Sequence, residues 1–186
     1  YIRPNFVEAQ MALGDAYSEL QQYQRAIDAY GRVAHGNPLR GKAQLHIAVN
    51  YDRLGKLPEA FKLLDRMHAA DPAETDAITT KGDLYRIHNE YEKAIAAYTL
   101  ALKNIPELES EDWPILFARG SCLERLGRWP EAEKDLQAAL ELKPDQPDIL
   151  NYLGFAQIEH GEDLQPARDM IARAVAARPN DAQIMD

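Results

Sequence analysis

Five histidines, at positions 35, 46, 68, 88 and 160, and one cysteine, Cys122, are the residues of this 186-residue chain best suited to hold a metal or to attack a substrate. A tetrahedral metal site needs several nitrogen or sulfur ligands at close spacing. Here no two histidines stand four apart, the spacing that brings two rings to one helix face, and Cys122 has no second thiolate beside it. No metal and no cofactor is therefore expected. Cys122 falls inside an apolar stretch of helical spacing, where a small buried thiol packs rather than reacts. No GxGxxG fingerprint or GxSxG elbow occurs and no GxxxxGK-type phosphate loop is expected, so neither phosphate cradling nor hydrolase chemistry is supported. The acidic run Glu107, Glu109, Glu111 and Asp112 lacks the central glycine of a calcium loop, and reads as a solvated linker. No catalytic residue is assigned.

Charge and composition narrow the partners. The chain has 30 acidic against 21 basic residues, a formal net charge of −9. Nucleic acids and anionic membrane surfaces attract the opposite balance, so neither is an expected partner. Hydrophobic residues make up 46% of the chain, enough for a packed core. No run of about 18 apolar residues is present, so this segment does not insert into a membrane. A lone cysteine forms no intrachain disulfide and leaves the compartment open.

The elements that would position any site come from an internal repeat. Pro38, Pro72 and Pro106 stand 34 apart, as do Ala26, Ala60 and Ala94, and Tyr17, Tyr51 and Tyr85. Ala132 with Pro144, then Ala167 with Pro179, continue the pattern after small offsets. The resulting units are 7–40, 41–74, 75–108, 113–146 and 147–181. Within each, apolar residues at three- and four-residue spacing predict two amphipathic helices. Gln21, Gly55, Asn89, Gly127 and Gly161 mark the turn between them, and all but Gln21 suit a left-handed helix end. Pro58 and Pro130 sit where a second helix opens. Gly14, Gly82, Gly120 and Gly154 lie inside first helices, where glycine costs about 1 kcal/mol relative to alanine. Close approach of the second helix, through Ala26, Ala60, Ala94, Ala132 and Ala167, explains them. The insertion 109–112 should lengthen one turn so that Trp113 and Pro114 open the next helix, with Trp113 and Trp129 packed at repeat junctions.

With Leu13-Gly14, Tyr17, Ala26, Tyr30 and Pro38 in the first unit, the chain resembles the tetratricopeptide repeat (TPR) family over nearly its whole length. The resemblance implies an all-α fold, a right-handed α-solenoid of antiparallel helix-turn-helix repeats, about five repeats and ten helices. A single TPR domain over 1–186 is expected, cooperative because each hairpin is stabilised by its neighbours. Pro4 stands 34 before Pro38, which makes 1–6 the tail of a preceding repeat and 182–186 the start of a following one. The Ala-rich, Arg-bearing repeats resemble those of bacterial proteins, with cytoplasm and periplasm both open.

The resemblance also implies a function: a non-catalytic protein-protein interaction scaffold, with first helices lining a concave groove that takes a peptide or helical segment. The places lining it hold Phe117, Asn151, Tyr152, Phe155 and Ile158, and the charged Asp15, Asp52, Asp83, Arg86 and Arg125. Phe117, Tyr152, Phe155 and Ile158 form the main contact patch, with Asn151 holding a backbone and the three aspartates favouring basic segments. The family's carboxylate clamp, which grips chaperone tails with Lys, Asn and Arg, is absent, since its places hold Met11, Asp15, His46, Asp76 and Thr80. Two other readings stand beside the scaffold: the recognition arm of a larger enzyme or envelope protein, and self-association through exposed end repeats.

Overall fold

A computed structural model describes residues 4–178. The expected repeat pieces at 1–3, 179–181 and 182–186 lie outside the described residues. The fold is all-α: α1 Pro4–Glu19, α2 Tyr23–Gly31, α3 Arg40–Arg53, α4 Leu57–Ala70, α5 Asp76–Ile87, α6 Tyr91–Asn104, α7 Trp113–Arg125, α8 Trp129–Leu142, α9 Pro147–Glu159 and α10 Leu164–Ala177. These are the ten helices expected from the repeat, and no strand occurs among the described residues.

The helices stop where the sequence says they should. Gln21, Gly55, Asn89, Gly127 and Gly161 all adopt positive φ, between 58° and 76°. At four of these ends the same two hydrogen bonds close the turn, as in Gln22 N to Tyr17 O and Gln21 N to Ser18 O. Lys56 to Tyr51 with Gly55 to Asp52, Arg128 to Leu123 with Gly127 to Glu124, and Glu162 to Gln157 with Gly161 to Ile158 repeat it. This is the Schellman arrangement, which satisfies the last carbonyls of a helix. Turns this short make consecutive helices antiparallel neighbours. Proline lies in the first turn of α4, α7, α8 and α9. The 109–112 insertion forms a 3-10 turn, Ser110–Asp112, capped by Asp112 Oδ2 accepting from Glu109 N at 2.9 Å, and α7 opens at Trp113.

The chain divides into two compact units, Tyr1–His88 and Asn89–Asp186. In the first, α1 packs on α2, α2 on α3, α3 on α4, and α5 on α3 and α4. Its core gathers Ala26, Tyr30, Val33, Ala43, Ala48, Ala60 and Leu64. In the second, α6 packs on α7, α7 on α8, α8 on α9, and α9 on α10. The five repeat alanines, from Ala26 to Ala167, are fully buried. The close approach they allow is tight: a Cβ on Gly14 would stand 2.4 Å from the Tyr30 ring, and one on Gly154 would stand 2.9 Å from the Ala167 carbonyl oxygen.

Candidate partner-binding surface

In the second unit the exposed side of α9 faces the C-terminal half of α7 across a cleft of about 300 Å³, lined by Glu124, Arg125, Asn151, Tyr152, Phe155, Ala156 and Glu159. Four of the residues expected from the sequence, Arg125, Asn151, Tyr152 and Phe155, thus share one cleft. Phe155 is 38% exposed, a large apolar surface left to solvent. Phe117 lies beside them, half-buried, its ring edge-on to Tyr152 with centroids 5.4 Å apart. Phe117 also packs on Trp113, at 5.9 Å, and on the Leu116 and Ile149 cluster. It is not among the residues lining the cleft. Ile158 is half-buried on α9 and is not among the residues lining the cleft.

Tyr152 fixes the geometry. Its hydroxyl donates to Glu124 Oε2 at 3.1 Å, tying α9 to α7. Burial, reinforced by the Glu124 carboxylate, pushes its phenol well above the ordinary tyrosine range. Glu124 Oε1 lies 4.0 Å from His160 Nε2. The His160 ring in turn stacks on Trp129 at 4.4 Å and 9°, and Trp129 Nε1 donates to Glu162 Oε1 at 2.8 Å. One wall of the cleft is thus held by a chain of aromatic and carboxylate contacts. Asn151 Oδ1 is buried without a hydrogen-bond partner.

The other expected residues lie in the first unit. Asp15 Oδ1 accepts from the Tyr30 hydroxyl at 2.6 Å. Burial, with Asp15 adding to it, pushes the Tyr30 phenol above the usual range. Tyr30 also stacks on His46 at 5.0 Å, and burial lowers the His46 pKa. Asp52 lies 2.6 Å from His88 Nε2, its side chain only 11% exposed. Asp83 faces Arg86 one helical turn on, at 3.6 Å. All three aspartates already have partners within the chain. The places of the absent clamp are likewise taken up, Met11 in the core and Asp15 on Tyr30.

Three features escaped sequence reasoning. Trp129 stands 33 residues before Glu162, and of its contacts with His160 and Glu162 only packing of Trp129 at a repeat junction was expected. Arg119 makes a bidentate pair with the buried Asp135, at 2.6 and 2.7 Å, and reaches Thr99 at 3.1 Å. Neither residue breaks the apolar pattern enough to announce a buried ion pair. The stretch Gly36 to Lys42 has the GxxxxGK spacing of a phosphate-binding loop, with Ala43 where Ser or Thr would stand. It runs from the α2–α3 turn into the first turn of α3 with no strand before it, and Arg40 there donates to the Val33 carbonyl at 2.7 Å, so its context is a helix end. Among the described residues no cluster of His, Cys, Asp or Glu could hold a metal ion. No described helix is long and apolar enough to cross a membrane.

Comparisons with known proteins fall on the same repeat. Family models described as tetratricopeptide repeat match residues 11–75 and 75–108, and one described as TPR repeat matches 124–161. A TPR repeat-containing protein of Pseudomonas aeruginosa is 28% identical over 179 residues, 96% of this chain and 30% of its own length. Hsp70-Hsp90 organizing protein 3 of Arabidopsis thaliana is 27% identical over 157 residues, 81% of this chain and 27% of its own length. The chain thus spans less than a third of these relatives. A thermophilic TPR protein of Thermus thermophilus superposes with a TM-score of 0.73 at 22% identity, covering 96% of this chain and 95% of that one. With a 34-residue period, paired helices and family matches over both units, the chain belongs to the tetratricopeptide repeat family.

Proposed function

We propose that this chain is a non-catalytic scaffold that binds a segment of another protein in the α7–α9 cleft of its second unit. The observation that carries the reading is the exposed Phe155 beside Tyr152 and Asn151 in a cleft of about 300 Å³. Covering the 38% of Phe155 still exposed is worth about 1 kcal/mol of transfer, and aromatic residues set on a fixed support make interface hot spots. Asn151 adds a backbone contact: a buried carbonyl oxygen without a partner costs about 1–3 kcal/mol, and an amide that turns into the cleft would meet an N–H of the bound segment. The residues at the clamp places argue against a chaperone-tail adaptor. The relative from Arabidopsis is named for organizing Hsp70 and Hsp90, but the clamp places here hold Met11, Asp15, His46, Asp76 and Thr80.

Photo-crosslinking tests the site. A photoreactive phenylalanine analogue at position 155 should capture a defined partner that the same analogue at Gln137, exposed on α8, does not. Equal capture from both positions would remove the cleft as the site. A second reading has this array as one module of a longer protein, since the matched region is 27–30% of the length of the relatives named above. In that reading the cleft recruits a partner to whatever the rest of that protein does.

A further inference from the structure

The cleft has a chemical preference that its shape alone does not give. Resting on the reading that it takes a protein segment, we propose that it selects a Lys or Arg side chain of that segment, held by Glu124 and Glu159 with its aliphatic stem against Phe155.

Glu124 is the receptor group. Its side chain is 21% exposed, and Tyr152 occupies one carboxylate oxygen at 3.1 Å. Among the described residues the other oxygen pairs only with His160, at 4.0 Å, too long for a hydrogen bond. The carboxylate is therefore fixed in orientation with acceptor capacity unused. His160 cannot swing in to fill it without giving up its stacking on Trp129. Such a group loses little freedom when a ligand arrives, which favours binding. Glu159 lines the same cleft from α9 and carries no ion pair among the described residues. Two carboxylates against the single guanidinium of Arg125 leave the cleft net negative, on a chain whose formal charge is −9. An acidic segment is repelled there, and a cation is drawn in.

The apolar lining completes the match. Lys and Arg carry a hydrocarbon stem behind the charge, and Phe155 with the Tyr152 ring offers the surface for it. An aromatic face also attracts a cation directly. A purely apolar side chain would bury Phe155 but leave Glu124 desolvated and unpaired, a cost that discriminates against it.

A random heptapeptide display library selected on the full chain, followed by anisotropy titration of the enriched labelled peptides, tests the assignment. Enriched peptides should carry Lys or Arg next to a large apolar residue. Replacing that cation with Gln in the peptide should weaken binding to the wild-type chain about five- to tenfold. The same replacement should matter less than about twofold for a Glu124→Gln, Glu159→Gln chain, whose charge complementarity is gone. Glu159→Gln alone, at an exposed position, keeps the test valid if the double variant fails to fold, and should lose part of the discrimination. Peptides that bind without any cation, yet weaken on Phe155→Ala, overturn the cation assignment and leave the cleft. Peptides indifferent to Phe155→Ala, or no enrichment at all, overturn the cleft reading together with it.

Discussion

Gln21 is the residue at which local preference and fold disagree most plainly. It holds φ 58° at the end of the α1 turn, where three of the four equivalent turns use glycine and one uses asparagine. A left-handed conformation costs a residue with a Cβ about 1–2 kcal/mol. Gln21→Gly should stabilise the chain by about 0.5–1 kcal/mol, net of glycine's greater freedom when unfolded, read as a higher midpoint in thermal melting. Gly154 gives the opposite sign. Alanine there gains helix propensity of about 1 kcal/mol, but its Cβ meets the Ala167 carbonyl oxygen at 2.9 Å and Ile171 at 2.8 Å. Backbone does not yield as a side-chain tip does, and overpacking of this kind costs about 1–3 kcal/mol. Gly154→Ala should lower the melting midpoint, and a rise would show that α9 and α10 have slack. Both sites were legible in the sequence, because a turn residue and an in-helix glycine recur at fixed repeat places. The hydrogen bond of Tyr30, which fills the space at Gly14, to Asp15 was not legible, since side-chain pairing depends on rotamers.

At the scale of elements, two devices join first helices to their neighbours. One is the Schellman turn, repeated with the same hydrogen bonds at four helix ends, and its glycines announced it. The other is polar and silent in the sequence: Arg119 on Asp135 between α7 and α8, and Tyr152 on Glu124 between α9 and α7. Asp135→Ala should cost about 3–5 kcal/mol, because it strands a guanidinium that is only 21% exposed. Replacing both, as Arg119→Met with Asp135→Leu, should recover most of that loss, a coupling that denaturant melts of the full cycle measure. The tyrosines predict alkaline sensitivity. An unfolded tyrosine releases its proton near 10, while burial holds Tyr30 and Tyr152 above that. Below about pH 10 their contribution is fully present; above it the unfolded chain binds fewer protons, and stability falls as pH rises. Melting midpoints between about pH 8 and pH 11 should therefore drop less steeply in a Tyr30→Phe, Tyr152→Phe chain than in wild type, and equal slopes would count against the buried phenols.

For the whole molecule, periodicity exposed the ten helices and the family because stacking imposes the same residues at the same places in every unit. It exposed the site less well. Repeat places mark which residues project from first helices, so the grouping of Asn151, Tyr152, Phe155 and Arg125 around one cleft was legible. Asp15, Asp52 and Asp83 occupy comparable places but pair with Tyr30, His88 and Arg86. Whether a projecting side chain is available to a partner depends on contacts as far as 36 residues away, such as Tyr152 to Glu124 and Asp52 to His88, which no spacing reveals. The claim that joins fold to function is that a partner segment rests on Phe155. Calorimetric titration of a purified partner against wild-type and Phe155→Ala chains tests it most directly, with circular dichroism confirming equal helicity. The account predicts at least about tenfold weaker binding to the variant, the loss of one well-covered aromatic. Unchanged affinity with unchanged helicity would contradict it.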